Sequence, residues 1–271
     1  MTLPSSGSIT IAQILNEIGD SYPVTIPNAN WRTLAGKPTG SLVIPTDFYG
    51  KSAVAIVDTK GPTAHGTSHN FGTVNFGADG PSRKIVIYVF GQGKSAGVTP
   101  GSDNTGFTNF VAGGAANQFA PNGFFYRYNL TETDDFAGVN SSLFDPVGTS
   151  GNVSLTTGLS TRCSIVVLSI LSPAGYFGGE GNDAGGFTNT VSTTTNVSSR
   201  GILVAGAIAS TTAGLNMGGV TEQTQINHVG NYWCSVGFNT GLAAQTGRPV
   251  SATTTSGANS VVMAIEAESY S

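Results

Sequence analysis

The sequence predicts a mainly β protein, an antiparallel, jelly-roll-like β-sandwich preceded by a small helix-containing N-terminal module. Three observations carry this. After residue 53, about ten apolar or alternating runs follow one another, punctuated by Gly and Pro, which is the pattern of strands joined by turns. No amphipathic helical stretch separates those runs, which excludes the helical crossovers of a parallel α/β sheet. The first fifty or so residues differ, with helical apolar spacing and explicit helix stops. The expected units are residues 1–52 and residues 53–271.

The N-terminal module opens on a capping box, Thr10-Ile11-Ala12-Gln13. The Thr10 hydroxyl can accept the N3 amide while Gln13 reaches back to the Thr10 amide. Ile11, Ile14, Leu15 and Ile18 then recur at i, i+3, i+4 and i+7, one apolar face. Gly19 ends the helix as its left-handed residue. A helix of barely two turns does not persist alone, so this face must pack on something. Asn28 or Asn30 can cap a second short helix containing Trp31, Leu34 and Ala35. Gly36 stops it and Pro38 forbids its resumption. Ser41 to Ile44 is extended, and Phe48 and Tyr49 add aromatic bulk. So few large apolar side chains make a marginal core. Its completion is expected from another chain, from self-association, or from docking onto the larger unit. The candidate anchoring residues are Ile11, Ile14, Leu15, Ile18, Trp31, Leu34, Phe48 and Tyr49.

This segment carries a resemblance. The stretch Leu3-Pro4-Ser5-Ser6-Gly7-Ser8-Ile9, the Ile-rich helix ending at Gly19, Leu34-Ala35-Gly36, and Asp47-Phe48-Tyr49-Gly50-Lys51-Ser52 together resemble the N-terminal segment of tailed-bacteriophage virion structural proteins. The match covers residues 3–52. In the larger unit, Val74-Asn75-Phe76-Gly77, Ser82-Arg83-Lys84-Ile85-Val86, the Gly-flanked run at 202–205 and Ser260 to Ile265 resemble a β-domain of such proteins. The resemblance implies a non-enzymatic particle component such as a tail fibre, spike or decoration protein. It implies location in the virion, attachment to other virion proteins through the N-terminal segment, and homo-oligomerisation with copies of itself, as a trimer.

The strands of the larger unit are read in order. Ala53 to Asp58 is a short apolar lead, and Gly72 to Phe76 alternates. Arg83 to Phe90 is the clearest central strand. Phe124 to Asn129 is aromatic and alternating, and Asn152 to Thr156 is short and polar. Ser164 to Leu171 is a second continuous apolar run, ended by Pro173. Val191 to Val197 is Thr-rich, an expected edge. Gly201 to Ala209 is a third buried run. Tyr232 to Asn239 alternates, and Ser260 to Ala267 closes the series. Two long loops are expected, from Gly91 to Gly123 and from Pro173 to Gly186. Loops of that length are often functional. Aromatic rings beside amides and carboxylates suit sugar, so a host surface glycan is the alternative partner. The candidate contacts are Phe107, Asn109, Phe110, Tyr176, Phe177, Glu180 and Asp183.

Composition narrows the function. Charged residues make up 10% of the chain and hydrophobic residues 39%. The usual charged share is roughly 25%, so this exterior is neutral and rich in hydroxyl and amide groups. Net charge is −4, with 11 basic residues and no basic run, so no nucleic acid is expected. Residues 1–30 lack the basic and apolar stretches of a secretory leader, and no run of about 18 apolar residues occurs. Synthesis in a host cytoplasm without membrane insertion is therefore expected. Cys163 and Cys234 sit in apolar runs and read as buried thiols.

The motifs of common chemistry do not assemble. His65 and His69 lie in a Gly/Thr-rich stretch and would not share a helical face. Glu180-Gly181-Asn182-Asp183 lacks the acidic spacing of a calcium loop. Glu132, Asp134 and Asp135 are sequence neighbours, whereas glycosidase carboxylates face each other across a cleft. Gly91-Gln92-Gly93-Lys94-Ser95 has Tyr88 where a phosphate loop needs its first Gly. No enzyme activity, metal or cofactor is expected.

Overall fold

The computed structural model describes residues 2–19, 28–37, 39–48, 51–79, 83–94, 101–102, 107–112, 115–118, 126–127, 135–146, 148–171, 182–186, 189–197, 199, 201–211, 214–254 and 261–267. Two short helices, α1 (Ile11–Ile18) and α2 (Ala29–Ala35), precede a single 3-10 turn at Thr46–Phe48. The strands follow: β1 (Val54–Lys60), β2 (Gly66–Asn75), β3 (Arg83–Lys94), β4 (Gly101–Ser102), β5 (Phe107–Ala112), β6 (Ala115–Gln118), β7 (Tyr126–Arg127), β8 (Asp135–Pro146) and β9 (Ser150–Leu171). They continue as β10 (Asn182–Gly186), β11 (Thr190–Val197), β12 (Gly201–Ser210), β13 (Leu215–Gly218), β14 (Thr221–Val229), β15 (Tyr232–Leu242), β16 (Gln245–Thr254) and β17 (Val261–Ala267). The molecule is mainly β and antiparallel, with a small helical N-terminal module.

Strand β9 organises the larger, seven-stranded sheet. It runs 22 residues and serves two sets of partners. Its second half lies between β1 and β3, and its first half between β2 and β5. Strand β3 also pairs with β8, and β8 with β6. Between Gly66↔Thr161 and Ser68↔Thr156 the register slips. Such a bulge bends a strand. The two halves therefore fold over one another, and Val74, Phe76, Val153 and Leu155 pack on Ile85, Ile87, Cys163, Ile165 and Val167.

The other face of β3 and β9 builds the main core. Val86, Tyr88, Phe90, Val166, Leu168 and Ile170 meet Val204, Ile208, Cys234 and Val236 of the five-stranded sheet β10-β17-β12-β15-β14. That sheet is buried on its far side too. Leu203, Ala205, Ala207 and Ala209 pack on Val191, Leu215, Val250 and Ala252 of the three-stranded sheet β11-β16-β13. Strands buried on both faces read as continuous apolar runs rather than alternation, which is why β3, β12 and the end of β9 are visible in the sequence.

The N-terminal helices share this core. Ile14, Leu15, Ile18, Trp31, Leu34 and Phe48 belong to the same cluster as Phe90, Ile170 and Phe238. Hydrophobic packing is thus continuous across residues 52 and 53.

Several strand expectations are corrected. Asn152 to Thr156 and Ser164 to Leu171 are two parts of one strand, β9. The predicted Gly91 to Gly123 loop contains strand residues at its start and in β4, β5 and β6. The predicted Pro173 to Gly186 loop ends in β10. Strands β8, β13, β14 and β16 were not foreseen. Their Ser, Thr, Asn and Gln content conceals them, because an antiparallel strand covered on one face needs apolar residues only on that face. Of Phe124 to Asn129, Tyr126–Arg127 form β7 and the rest lie outside the described residues.

Candidate functional site

The N-terminal segment is built from local signals. Thr10 accepts the Gln13 amide at 3.2 Å, and Gln13 Oε1 accepts the Thr10 N–H at 2.7 Å, closing the capping box. Gly19 ends α1 at φ 73°, where a side chain would be strained. Asn28 caps α2 through the Trp31 N–H at 3.0 Å. Trp31 meets Phe48 edge to face, with ring centroids 5.6 Å apart. Arg32 donates to the Gly40 carbonyl at 2.8 Å. Asp47 accepts the Val43 N–H at 2.7 Å and pairs with Lys37, also at 2.7 Å. These partners hold the Asp47 carboxyl below its usual range, Lys37 first. The Leu3 N–H donates to the Lys51 carbonyl at 2.9 Å, so the segment's two ends close on each other.

What this segment buries and what it leaves outside differ sharply. Ile14, Leu15, Ile18, Trp31, Leu34 and Phe48 are occupied inside the chain. Among the described residues the exposed large hydrophobics are Ile11 at 37%, Val43 at 50% and Ile44 at 37%. All three belong to residues 1–52. Tyr49 lies outside the described residues.

One polar group fixes the segment to the sheets. Glu17 is 2% exposed. It accepts the Ala53 N–H at 2.7 Å and the Thr240 hydroxyl at 3.0 and 3.1 Å. Burial pushes its pKa up, while the bonds from Ala53 and Thr240 oppose that. The sequence reading missed this residue, although the signal existed. Glu17 stands three residues after Ile14, on the helix's inward stripe.

The candidate glycan contacts that fall among the described residues lie in two different sheets. Phe107, Asn109 and Phe110 lie on β5, paired with β9. Asp183 lies on β10 opposite Ala264. Tyr176, Phe177 and Glu180 lie outside the described residues. A different surface is uncharged and regular. In the outer sheet, Thr253 pairs with Thr190 on one side and Asn216 on the other, and Ser251 with Ser192 and Gly218. Thr190 and Ser192 are exposed, with Thr194 and Asn196 following on the same face, while Val191, Thr195 and Val197 point inward. Between positions 184 and 265 the charged residues are Arg200, Glu222 and Arg248 alone.

The interior polar groups are quiet. His69 is bonded on both ring nitrogens, to Thr63 at 2.7 Å and to Thr161 at 3.0 Å. Burial lowers its pKa. Cys163 and Cys234 are buried and free. They lie in different clusters, on opposite sides of the seven-stranded sheet. Burial pushes the Cys163 thiol up to about 12 and Cys234 well above its ordinary value, the reverse of what a nucleophilic thiol requires. No group of three or more metal-ligating side chains occurs among the described residues. No helix among them is long and apolar enough to cross a membrane. Gly91 to Lys94 run as strand within β3.

Comparison with known proteins found no matching family model, no similar curated protein and no similar solved structure.

Proposed function

We propose that this chain is a non-enzymatic structural component of a tailed-phage virion, a fibre, spike or decoration protein, attached through its N-terminal segment. The observation that carries the reading is the position of Ile11, Val43 and Ile44. The exposed large hydrophobics among the described residues fall on the same fifty residues whose motifs resemble a virion segment. An exposed apolar residue gains about 1 to 2 kcal/mol when a partner covers it. A neutral exterior and stacked antiparallel sheets suit repeated contact with other virion proteins and with copies of itself, as a trimer. Weak contacts repeated around a particle add by avidity.

The experiment is a triple variant, Ile11→Ser, Val43→Ser and Ile44→Ser, in the genome that encodes the chain. These side chains lie outside the core, so the melting curve should stay near wild type. Incorporation into particles, read by immunoblot of purified virions, should fall tenfold or more. Wild-type incorporation by a folded triple variant rejects attachment through this segment.

A second reading, contact with a host surface glycan, is favoured by the outer face of β11-β16-β13. Thr190, Ser192, Thr194, Ser251, Thr253 and Asn216 offer hydroxyls and amides without charge, which suits a neutral, hydroxyl-bearing ligand. Binding to a neutral-glycan array that Thr194→Lys abolishes would support it.

A further inference from the structure

Ser164 on β9 and His228 on β14 meet in the space between the two large sheets. Ser164 Oγ lies 2.7 Å from His228 Nδ1. His228 is 1% exposed, and its other ring nitrogen, Nε2, is buried with no hydrogen-bond partner. Gln92 Oε1 on β3 and Arg162 Nε on β9 are likewise buried and unpartnered. Gln92 stands opposite Arg162, and Phe90 opposite Ser164, in one unbroken register. Side chains two apart on a strand share a face. Gln92, Arg162 and Ser164 therefore project from the face that carries Phe90, toward the five-stranded sheet.

A neutral imidazole fits this place. One ring nitrogen engages Ser164, and the other is buried between the sheets. An imidazolium fits worse, because it would place a positive charge in a buried site beside the Arg162 guanidinium, and both nitrogens would become donors, so Ser164 could no longer donate to the ring. We infer that His228 is an acid-triggered latch between the seven- and five-stranded sheets: neutral, it ties them together, and protonated, it drives them apart.

The surroundings support this sign. Arg162, from β9, is the charged group that acts on the ring, and like charges repel. Ser164 and Gln92 carry no charge. On the neighbouring β15, Cys234 and Tyr232 stand opposite Ile226 and Val229, and burial keeps the Cys234 thiol protonated. Glu222, on β14 itself, is six residues away in sequence. Burial pushes the His228 pKa down to about 4, and Arg162 adds to the fall, against a bond to the Arg162 backbone. A folded pKa below the unfolded one means stability is full above about 6.5. It is lost as pH falls toward 4. The cluster that would open includes Phe90, Val166, Tyr232 and Val236.

The test compares wild type with His228→Asn, in which the shorter amide can keep the Ser164 contact but cannot take up a proton. Urea unfolding is measured on the full chain at pH 7 and pH 4. Shifts of this size make the wild-type unfolding constant rise about a hundredfold more than the variant's. Equal rises overturn the latch. Should the variant fail to fold, NMR titration of the wild-type His228 ring decides. A ring still neutral at pH 5 supports the proposal, and one titrating near 6.5 in the folded protein overturns it.

Discussion

Gly206 is the tightest test of how the two large sheets meet. It lies on β12, and a Cβ built there would stand 2.5 Å from Tyr88 Cδ1, 2.8 Å from Cε1 and 3.1 Å from Cγ. Carbon atoms prefer roughly 3.5 to 4.0 Å, so Gly206→Ala drives a methyl about 1 Å into a ring. Tyr88 has nowhere to go. It is fully buried, and its ring stacks beside Phe90 at 6.2 Å. Overpacking of this kind costs about 1 to 3 kcal/mol. The lost freedom of an unfolded Gly offsets about 0.4 to 1. A net loss of about 1 to 2 kcal/mol at an m of about 2 kcal/mol/M lowers the urea midpoint by about 0.5 to 1 M. Fluorescence of Trp31 and Trp233 reports the transition. Tyr88→Leu should relieve the clash, so the double variant should be more stable than the sum of the singles by about 1 to 2 kcal/mol. An unchanged midpoint for Gly206→Ala, or strict additivity with Tyr88→Leu, would refute the packing of β3 on β12.

Three further outcomes follow from the same structure. Burial raises the Glu17 pKa above its ordinary 4.5, so the folded state holds that proton more tightly than the unfolded chain. The resulting stability is full below pH 4.5 and is lost as pH rises through the raised value. Glu17→Gln should flatten this part of the urea-midpoint profile between pH 4 and 8. Glu17→Ala should cost about 1 to 3 kcal/mol by leaving the buried Ala53 N–H unsatisfied, and a harmless Glu17→Ala removes the carboxylate from the docking scheme. Trp31→Ala should cost about 3 to 5 kcal/mol and lower a single unfolding transition for the whole chain. Two separated transitions would mean that residues 1–52 and the sheets do not share a core. Ellman's reagent should react with Cys163 and Cys234 only as fast as the protein unfolds, and a fast native reaction of either thiol contradicts its burial.

Local chemistry was legible, and distant partnership was not. The Thr10 and Gln13 box, Gly19 and Gly36 were readable because a cap involves residues three or four apart. Strands β3 and β12 were readable because burial on both faces leaves continuous apolar runs. Strand β9 carries two separate signals, a short polar run at Asn152 to Thr156 and an apolar run at Ser164 to Leu171, although one strand runs through both. Strands β14 and β16 are mostly polar, with few apolar residues such as Ile226, Val229, Val250 and Ala252, and short-range pattern alone cannot separate that from a loop. What completes the N-terminal core was left open for a physical reason. Glu17 meets Thr240 across 223 positions, and no periodicity within a helix encodes that. The same holds for His228, a lone imidazole in a polar run until β9 brings Ser164 against it.

Under the proposed virion role, the inward use of α1 constrains how the chain can be held on a particle. Ile14, Leu15 and Ile18 are covered by the molecule's own sheets, so a partner cannot take the helix as a whole without opening the main core. That would expose Trp31 and Phe48 as well, at a cost of several kcal/mol. Attachment through this segment must therefore use its outer side, around Ile11, Val43 and Ile44, which offers little area per copy. Little area means modest affinity for one copy, and firm retention then requires many copies held in a fixed array. A chain built this way should bind an isolated partner subunit weakly and an assembled particle strongly. The ratio of those two affinities measures how far its place depends on the lattice rather than on any one contact.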